Sequence, residues 1–121
     1  MVRIIVAGGR EFNDSKLFEE KVSEILTQYK DIEFVSGHAK GADSMAEKYA
    51  SDNGIRIKVM PAEWKKYGRA AGPIRNKQML DYALEADAVL IAFWNGVSKG
   101  TKDMISRAKE HGAKCHVVMY E

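Results

Sequence analysis

An apolar, β-branched run, Val2 to Ala7, stops abruptly at Gly8, Gly9 and Arg10. That junction restricts the chain to few architectures. A buried strand that runs into a glycine turn and then a helix is how open α/β sheets begin a nucleotide site. Neither glycine carries a Cβ, so both admit positive φ and let a backbone pass close to a ligand. The later strands follow the same logic, each ending in glycine or in polar, reactive residues.

Taken in order, Asn13 and Asp14 offer N-cap oxygens for a helix running to about Tyr29, with Phe18, Val22, Ile25 and Leu26 on its buried stripe. Ile32 to Ser36 is a second strand, followed by Gly37-His38-Ala39-Lys40-Gly41 and a helix that packs through Ala42, Met45, Ala46, Tyr49 and Ala50. Ile55, Ile57 and Val59 alternate with Arg56 and Lys58, as in a half-exposed edge strand. Residues 61–72 have no clean period, and their aromatics and glycines predict an ordered loop or lid. Gly72-Pro73 opens the next helix, with proline at its favoured first position. Asp87 to Trp94 is the most continuous apolar run, which predicts a strand buried on both faces. A loop from Asn95 to Gly100 leads to a last helix starting at Thr101, and Cys115 to Tyr120 closes the sheet.

The pattern is strand-helix repeated four times plus a final strand, with right-handed crossovers. Placing the two most apolar strands, the first and fourth, side by side predicts a single Rossmann-like, three-layer α/β domain over residues 1–121. Its parallel sheet has five strands in the order 3-2-1-4-5, with helices on both faces. Ligands in such sheets bind where the winding reverses, at the C-terminal strand ends between strands 1 and 4. A chain of 121 residues has no room for a second ordinary core. No apolar run reaches the ~20 residues needed to span a bilayer, and no signal peptide is read. The single Cys115 excludes an internal disulfide, so the expected compartment is the cytoplasm, away from membranes.

Four segments converge at that sheet edge: Gly8-Gly9-Arg10, Ser36 to Asp43, Met60 to Gly72, and Asn95 to Thr101. Ser98-Lys99-Gly100-Thr101 puts two hydroxyls, a lysine and a glycine at a helix start, where free N–H groups and the helix dipole meet an anion. It is not a Walker A loop, because the lysine precedes the glycine and the spaced first glycine is missing. A helix capped by Thr101 beside an exposed lysine has the same pattern, so both readings stand. Convergence adds weight to the anion reading: Arg10, Lys40, Arg69, Arg75 and Lys99 gather on one rim of a chain whose net charge is only +2. Asp14, Asp43, Glu63 and Asp103 share that zone as ion-pair partners, ribose ligands or a general base. Trp64, Tyr67 and Trp94 flank the mouth and could stack on a base, although core packing explains Trp94 equally well. Asn76, on the first turn of its helix, could read a base edge or cap. His38, His111 and His116 lack metal-ligand spacing, so no metal is predicted.

Taken together, Val-Ala-Gly-Gly-Arg-Glu-Phe, Val-Ser-Gly-His-Ala-Lys-Gly-Ala-Asp, Ala-Glu-Trp…Tyr-Gly, Ala-Gly-Pro-Ile-Arg-Asn and Ala-Phe-Trp-Asn-Gly-Val-Ser-Lys-Gly-Thr resemble the cpYpsA-related branch of the SLOG superfamily. This Rossmann-like group includes DprA/Smf and LOG proteins, and the segments cover nearly the whole chain in order. The resemblance implies a nucleotide-derived ligand at the switch point, with the Gly100-Thr101 loop as phosphate or ribose contact. It also implies a homodimer. LOG phosphoribohydrolases end a Pro-Gly-Gly-x-Gly-Thr-x-x-Glu motif in a catalytic glutamate. Here Met104 occupies that position, and Asp103 lies about 100° away around a helix.

The expected ligand residues are therefore Gly8, Gly9, Arg10, Ser36, Gly37, Lys40, Gly41, Asp43, Trp64, Arg75, Asn76, Trp94, Ser98, Lys99, Gly100 and Thr101. First comes a nucleotide-binding sensor or carrier with no cofactor of its own. Second is a hydrolase cleaving an N-glycosidic bond, with Glu63 or Asp43 activating water. Third is a single-stranded DNA binder, which the low net charge disfavours.

Overall fold

A computed structural model describes all of residues 1–121. The elements are β1 (Val2–Gly8), α1 (Ser15–Leu26), β2 (Ile32–Ser36), α2 (Ala42–Asp52), β3 (Arg56–Val59), α3 (Trp64–Tyr67), a 3-10 turn (Gly68–Ala70), α4 (Ala71–Ala83), β4 (Asp87–Trp94), α5 (Lys99–Glu110) and β5 (Lys114–Met119). They build one five-stranded sheet in the order β3-β2-β1-β4-β5, every neighbouring pair parallel, as the sequence predicts.

The centre of the sheet follows from side-chain alternation along β1 and β4, which pair from Val2 opposite Asp87 to Gly8 opposite Phe93. Ile4, Val6, Ile91 and Phe93 face one way, into a core completed by Phe18, Val22 and Ile25 of α1 and Ala42, Ala46 and Ala50 of α2. Ile5, Ala7, Leu90 and Ala92 face the other way, against Met79, Leu80 and Ala83 of α4 and Met104, Ile105 and Ala108 of α5. Phe93 anchors the first layer, stacking on Phe12 at 4.8 Å and on Phe18 at 5.1 Å. β3 exposes Arg56 and Lys58 at its edge, where charge blocks pairing with another chain. No helix is long and apolar enough to cross a membrane.

Five boundaries differ from the sequence reading. α1 ends at Leu26 rather than Tyr29, because the Thr27 hydroxyl and N–H both bond the Glu24 carbonyl and turn the chain. Residues 61–72 are mostly helical instead of a loop. Glu63 accepts the N–H groups of Lys66 and Tyr67, and Gly68 at φ 57° then breaks α3 from the following turn. α4 begins at Ala71, so Pro73 is its third residue, still within the turn whose N–H groups have no helical partner. α5 begins at Lys99, capped by Ser98, and Thr101 is its third residue. β5 runs from Lys114 to Met119, one residue earlier than expected.

Candidate functional site

The turns after β1, β2 and β4, the end of β5 and the starts of α3 and α4 meet around a cleft of about 600 Å³ at the C-terminal edge of the sheet. Two glycines let these turns interlock. A Cβ on Gly8 would lie 2.6 Å from the Ala42 Cβ, so only glycine lets α2 start against β1. Gly41, at φ 82°, holds the turn before α2 so close to Gly9 that any side chain would strike the Gly9 carbonyl.

The far side of the cleft is the start of α5. Asn95 Oδ1 accepts the N–H groups of Val97 and Ser98, both at 2.9 Å, and the Trp94 indole N–H donates to the Ser98 carbonyl at 3.1 Å. Ser98 Oγ lies 3.1 Å from the Thr101 hydroxyl and accepts the Thr101 N–H. From α4, the buried Asn76 donates to the Gly100 carbonyl at 3.2 Å and to Asp103 Oδ2 at 2.9 Å. The loop is thus held from three directions, while the N–H groups of Lys99 and Gly100 have no partner in the chain. Free amides at the N-terminus of a twelve-residue helix can meet an anion.

Opposite them sit Asp43 and the guanidinium of Arg75. The Asp43 carboxylate accepts the Ala39 N–H at 3.1 Å, and Arg75 donates to the Gly37 carbonyl at 2.7 Å. Burial pushes the Asp43 carboxyl up to about 6, against the lowering effects of the Ala39 N–H and of nearby Arg75. Burial likewise lowers the pKa of Arg75, Asp43 opposes that, and Arg10 adds to it. Arg10 stands 5.6 Å above the Trp64 ring, which is 48% exposed. Arg10, Lys40, Arg75 and Lys99 make no ion pair within 4.0 Å.

Gly8, Gly9, Arg10, Asp43, Trp64, Arg75, Asn76, Ser98, Lys99, Gly100 and Thr101 all line the cleft. Gly37 and Lys40 line an adjoining depression instead. Ser36, Gly41 and Trp94 line neither. Ser36 is buried, donating to Glu47 at 2.9 Å and accepting the His38 N–H at 3.1 Å. Of the two acids considered as a base, only Asp43 lines the cleft; Glu63 is exposed outside it, as is Arg69. Met104 lies buried in the cleft floor, a side chain with no proton to give or take. Glu11 and Tyr120 also line it and escaped the sequence reading. Tyr120 follows the last strand, and strand-end position was a usable signal. No group of three or more His, Cys, Asp or Glu side chains is placed to hold a metal ion.

A family model described as YAcAr, the YspA, cpYpsA-related SLOG family, matches residues 2–67, more than half of the chain. The chain belongs to the cpYpsA-related SLOG family. The matched part of this SLOG chain carries the Gly8-Gly9 turn, the Ser36 to Asp43 segment and Trp64; the Ser98–Thr101 loop lies beyond it. No curated protein matches it. A solved structure described as DNA processing protein A (DprA) from Streptococcus pneumoniae is similar in fold, with a TM-score of 0.55 and 17% identity. The likeness covers 98% of this SLOG chain and 59% of that one, so the chain spans little more than half the length of its structural neighbour.

Proposed function

We propose that residues 1–121 form a single cytoplasmic nucleotide-binding domain, which holds a nucleotide-derived small molecule in this cleft as a sensor or carrier. The observation that carries the reading is a set of cations with no carboxylate partner within 4.0 Å. Arg10, Arg75 and Lys99 are free of ion pairs, and they share one lining with the free amides of Lys99 and Gly100 and with the exposed Trp64. Cations and helix-start amides suit a phosphate, and an aromatic face suits a base. Membership of the SLOG family agrees with this.

A second reading, cleavage of an N-glycosidic bond, draws support from Asp43. A cleft-lining carboxylate raised to about 6 is poised to accept a proton from water near neutral pH. A LOG-type glutamate has no counterpart, since Met104 stands there. The fold shared with a DNA-processing protein adds single-stranded DNA as a third ligand class to be assayed.

The test is a thermal-shift screen over nucleoside mono- and diphosphates, ADP-ribose, NAD, cyclic dinucleotides and short single-stranded DNA. A specific ligand at ~100 times its dissociation constant adds ~2.7 kcal/mol, which raises the melting temperature by several degrees. The expected hit is a nucleotide whose shift disappears in Lys99→Ala and Gly100→Val. A Cβ on Gly100 meets nothing within 4 Å, so a side chain has room to start there and crowd the amides. Recovery of the hit unchanged after incubation supports the sensor. A freed base, with a rate limb near pH 6 that Asp43→Asn removes, supports the hydrolase. A screen in which no nucleotide shifts the protein rejects both.

A further inference from the structure

We propose that His38 is a phosphoryl-accepting histidine, whose Nε2 attacks the phosphorus of a donor seated in the depression beside the cleft while Glu47 holds its ring. This goes beyond the nucleotide reading and does not depend on it. The depression, of about 580 Å³, is lined by His38 together with Arg10, Lys40 and Arg75.

One carboxylate and one hydroxyl hold this histidine at its ring and at its backbone. The ring Nδ1 lies 3.0 Å from each oxygen of Glu47. A carboxylate only accepts, so Nδ1 carries the proton and the neutral ring keeps its lone pair on Nε2. Nε2 has no hydrogen-bond partner in the chain, and the side chain is 60% exposed. Ser36, fully buried, donates its hydroxyl to Glu47 at 2.9 Å and accepts the His38 N–H at 3.1 Å. One residue thus aims the carboxylate and pins the backbone that carries the ring. That backbone sits at φ 59°, a left-handed conformation which a residue with a Cβ keeps only where its surroundings hold it, and which clusters at functional sites. The other two histidines lack this arrangement. His116 Nε2 is taken up by the Tyr29 hydroxyl at 2.8 Å, and His111 Nδ1 meets only the neutral Arg107 carbonyl at 2.9 Å.

The step is a phosphoryl transfer from a donor whose leaving group needs no proton, an acyl phosphate or a phosphoanhydride. The Nε2 lone pair forms the N–P bond as the P–O bond to the leaving group breaks, and that oxygen departs with the electron pair as a carboxylate or phosphate anion. The phosphorylated ring keeps its Nδ1 proton and becomes cationic, and the Glu47 carboxylate against Nδ1 compensates that charge. Arg10 and Lys40 line the same depression with no carboxylate within 4.0 Å, which leaves both to hold the phosphoryl oxygens.

Incubation of the full chain with acetyl phosphate or with ATP, read by peptide mass spectrometry and phosphorus NMR at alkaline pH, tests this. His111, exposed and with its own Nε2 unpartnered, is the control within the same molecule. At least one donor is expected to label His38, on Nε2, at least tenfold faster than His111. Glu47→Gln keeps the shape of the side chain and removes its charge, and should slow labelling at least tenfold. Lys40→Ala should slow it several-fold. His38→Asn, which tolerates the left-handed backbone, should abolish it. Equal labelling of His38 and His111, label on Nδ1, or no phosphohistidine from either donor overturns the proposal, and these comparisons use the wild-type chain alone. A Glu47→Gln variant that melts as the wild type does and is labelled at the wild-type rate overturns it too. None of these outcomes alters the thermal-shift screen, so the nucleotide reading stands or falls separately.

Discussion

Asp43 enters the first turn of α2 with its carboxyl buried beside the Gly37 and Ala39 backbone, and burial raises its pKa from 3.8 to about 6. A group whose folded pKa lies above its unfolded one binds more protons in the native state across that interval. The contribution of Asp43 to folding stability therefore falls as pH rises from about 4 to 6 and is level outside that interval. The shift corresponds to on the order of 2–3 kcal/mol. Denaturant titrations of wild type and Asp43→Asn at pH 4, 5, 6 and 7 should show this. The wild type's advantage over the asparagine variant should shrink steadily from pH 4 to 6 and stay constant above it. Parallel curves at every pH would show that Asp43 ionises in the folded protein as it does in water.

At the scale of elements, the joint between α4 and α5 shapes the candidate site. Asn76 was a candidate base reader, but its amide N–H groups go to the Gly100 carbonyl and to Asp103, which also pairs with Arg107 at 2.8 Å. Asn76 thereby sets the first turn of α5 against α4, and with it the position of the free amides. Asn76→Ala removes both bonds inside a buried contact and should cost about 1–3 kcal/mol in urea denaturation. A change below about 0.5 kcal/mol would mean that water replaces the amide without loss. The segment 61–72 teaches a related point. Its aromatics and glycines hid a short helix and a 3-10 turn, because each piece is far shorter than the ~11–18-residue window over which a helical period shows.

For the whole molecule, the sheet is the shared wall of two cores, and β4 contributes to both. Leu90 packs under α4 and α5, whereas Ile91, its neighbour in sequence, packs under α1 and α2. Both are fully buried. Leu90→Ala and Ile91→Ala should each cost about 2–5 kcal/mol. Each variant should still unfold in one transition, because β1 and β4 couple the layers through seven paired positions. Separate transitions for the α1–α2 and α4–α5 amides in hydrogen exchange would show instead that the two layers melt independently.

The order of strands, the two-layer burial and the edge where the loops converge were all legible in residue pattern, since the apolar run Val2–Ala7 and the unbroken run to Trp94 depend on local chemistry. The interlocking glycines and the rim cations could be picked out in the same way. Which of those cations share a cleft could not, because that depends on where α3 and α4 begin. Arg10, Arg75 and Lys99 come together, Lys40 faces the adjoining depression, and Arg69 turns away. Tertiary contacts also engaged Ser36 with Glu47, Trp94 with the Ser98 carbonyl, and Asn76 with α5. Residue type states which hydrogen bonds a side chain can make. Only packing decides which of them are already made, and so which donors remain for a ligand.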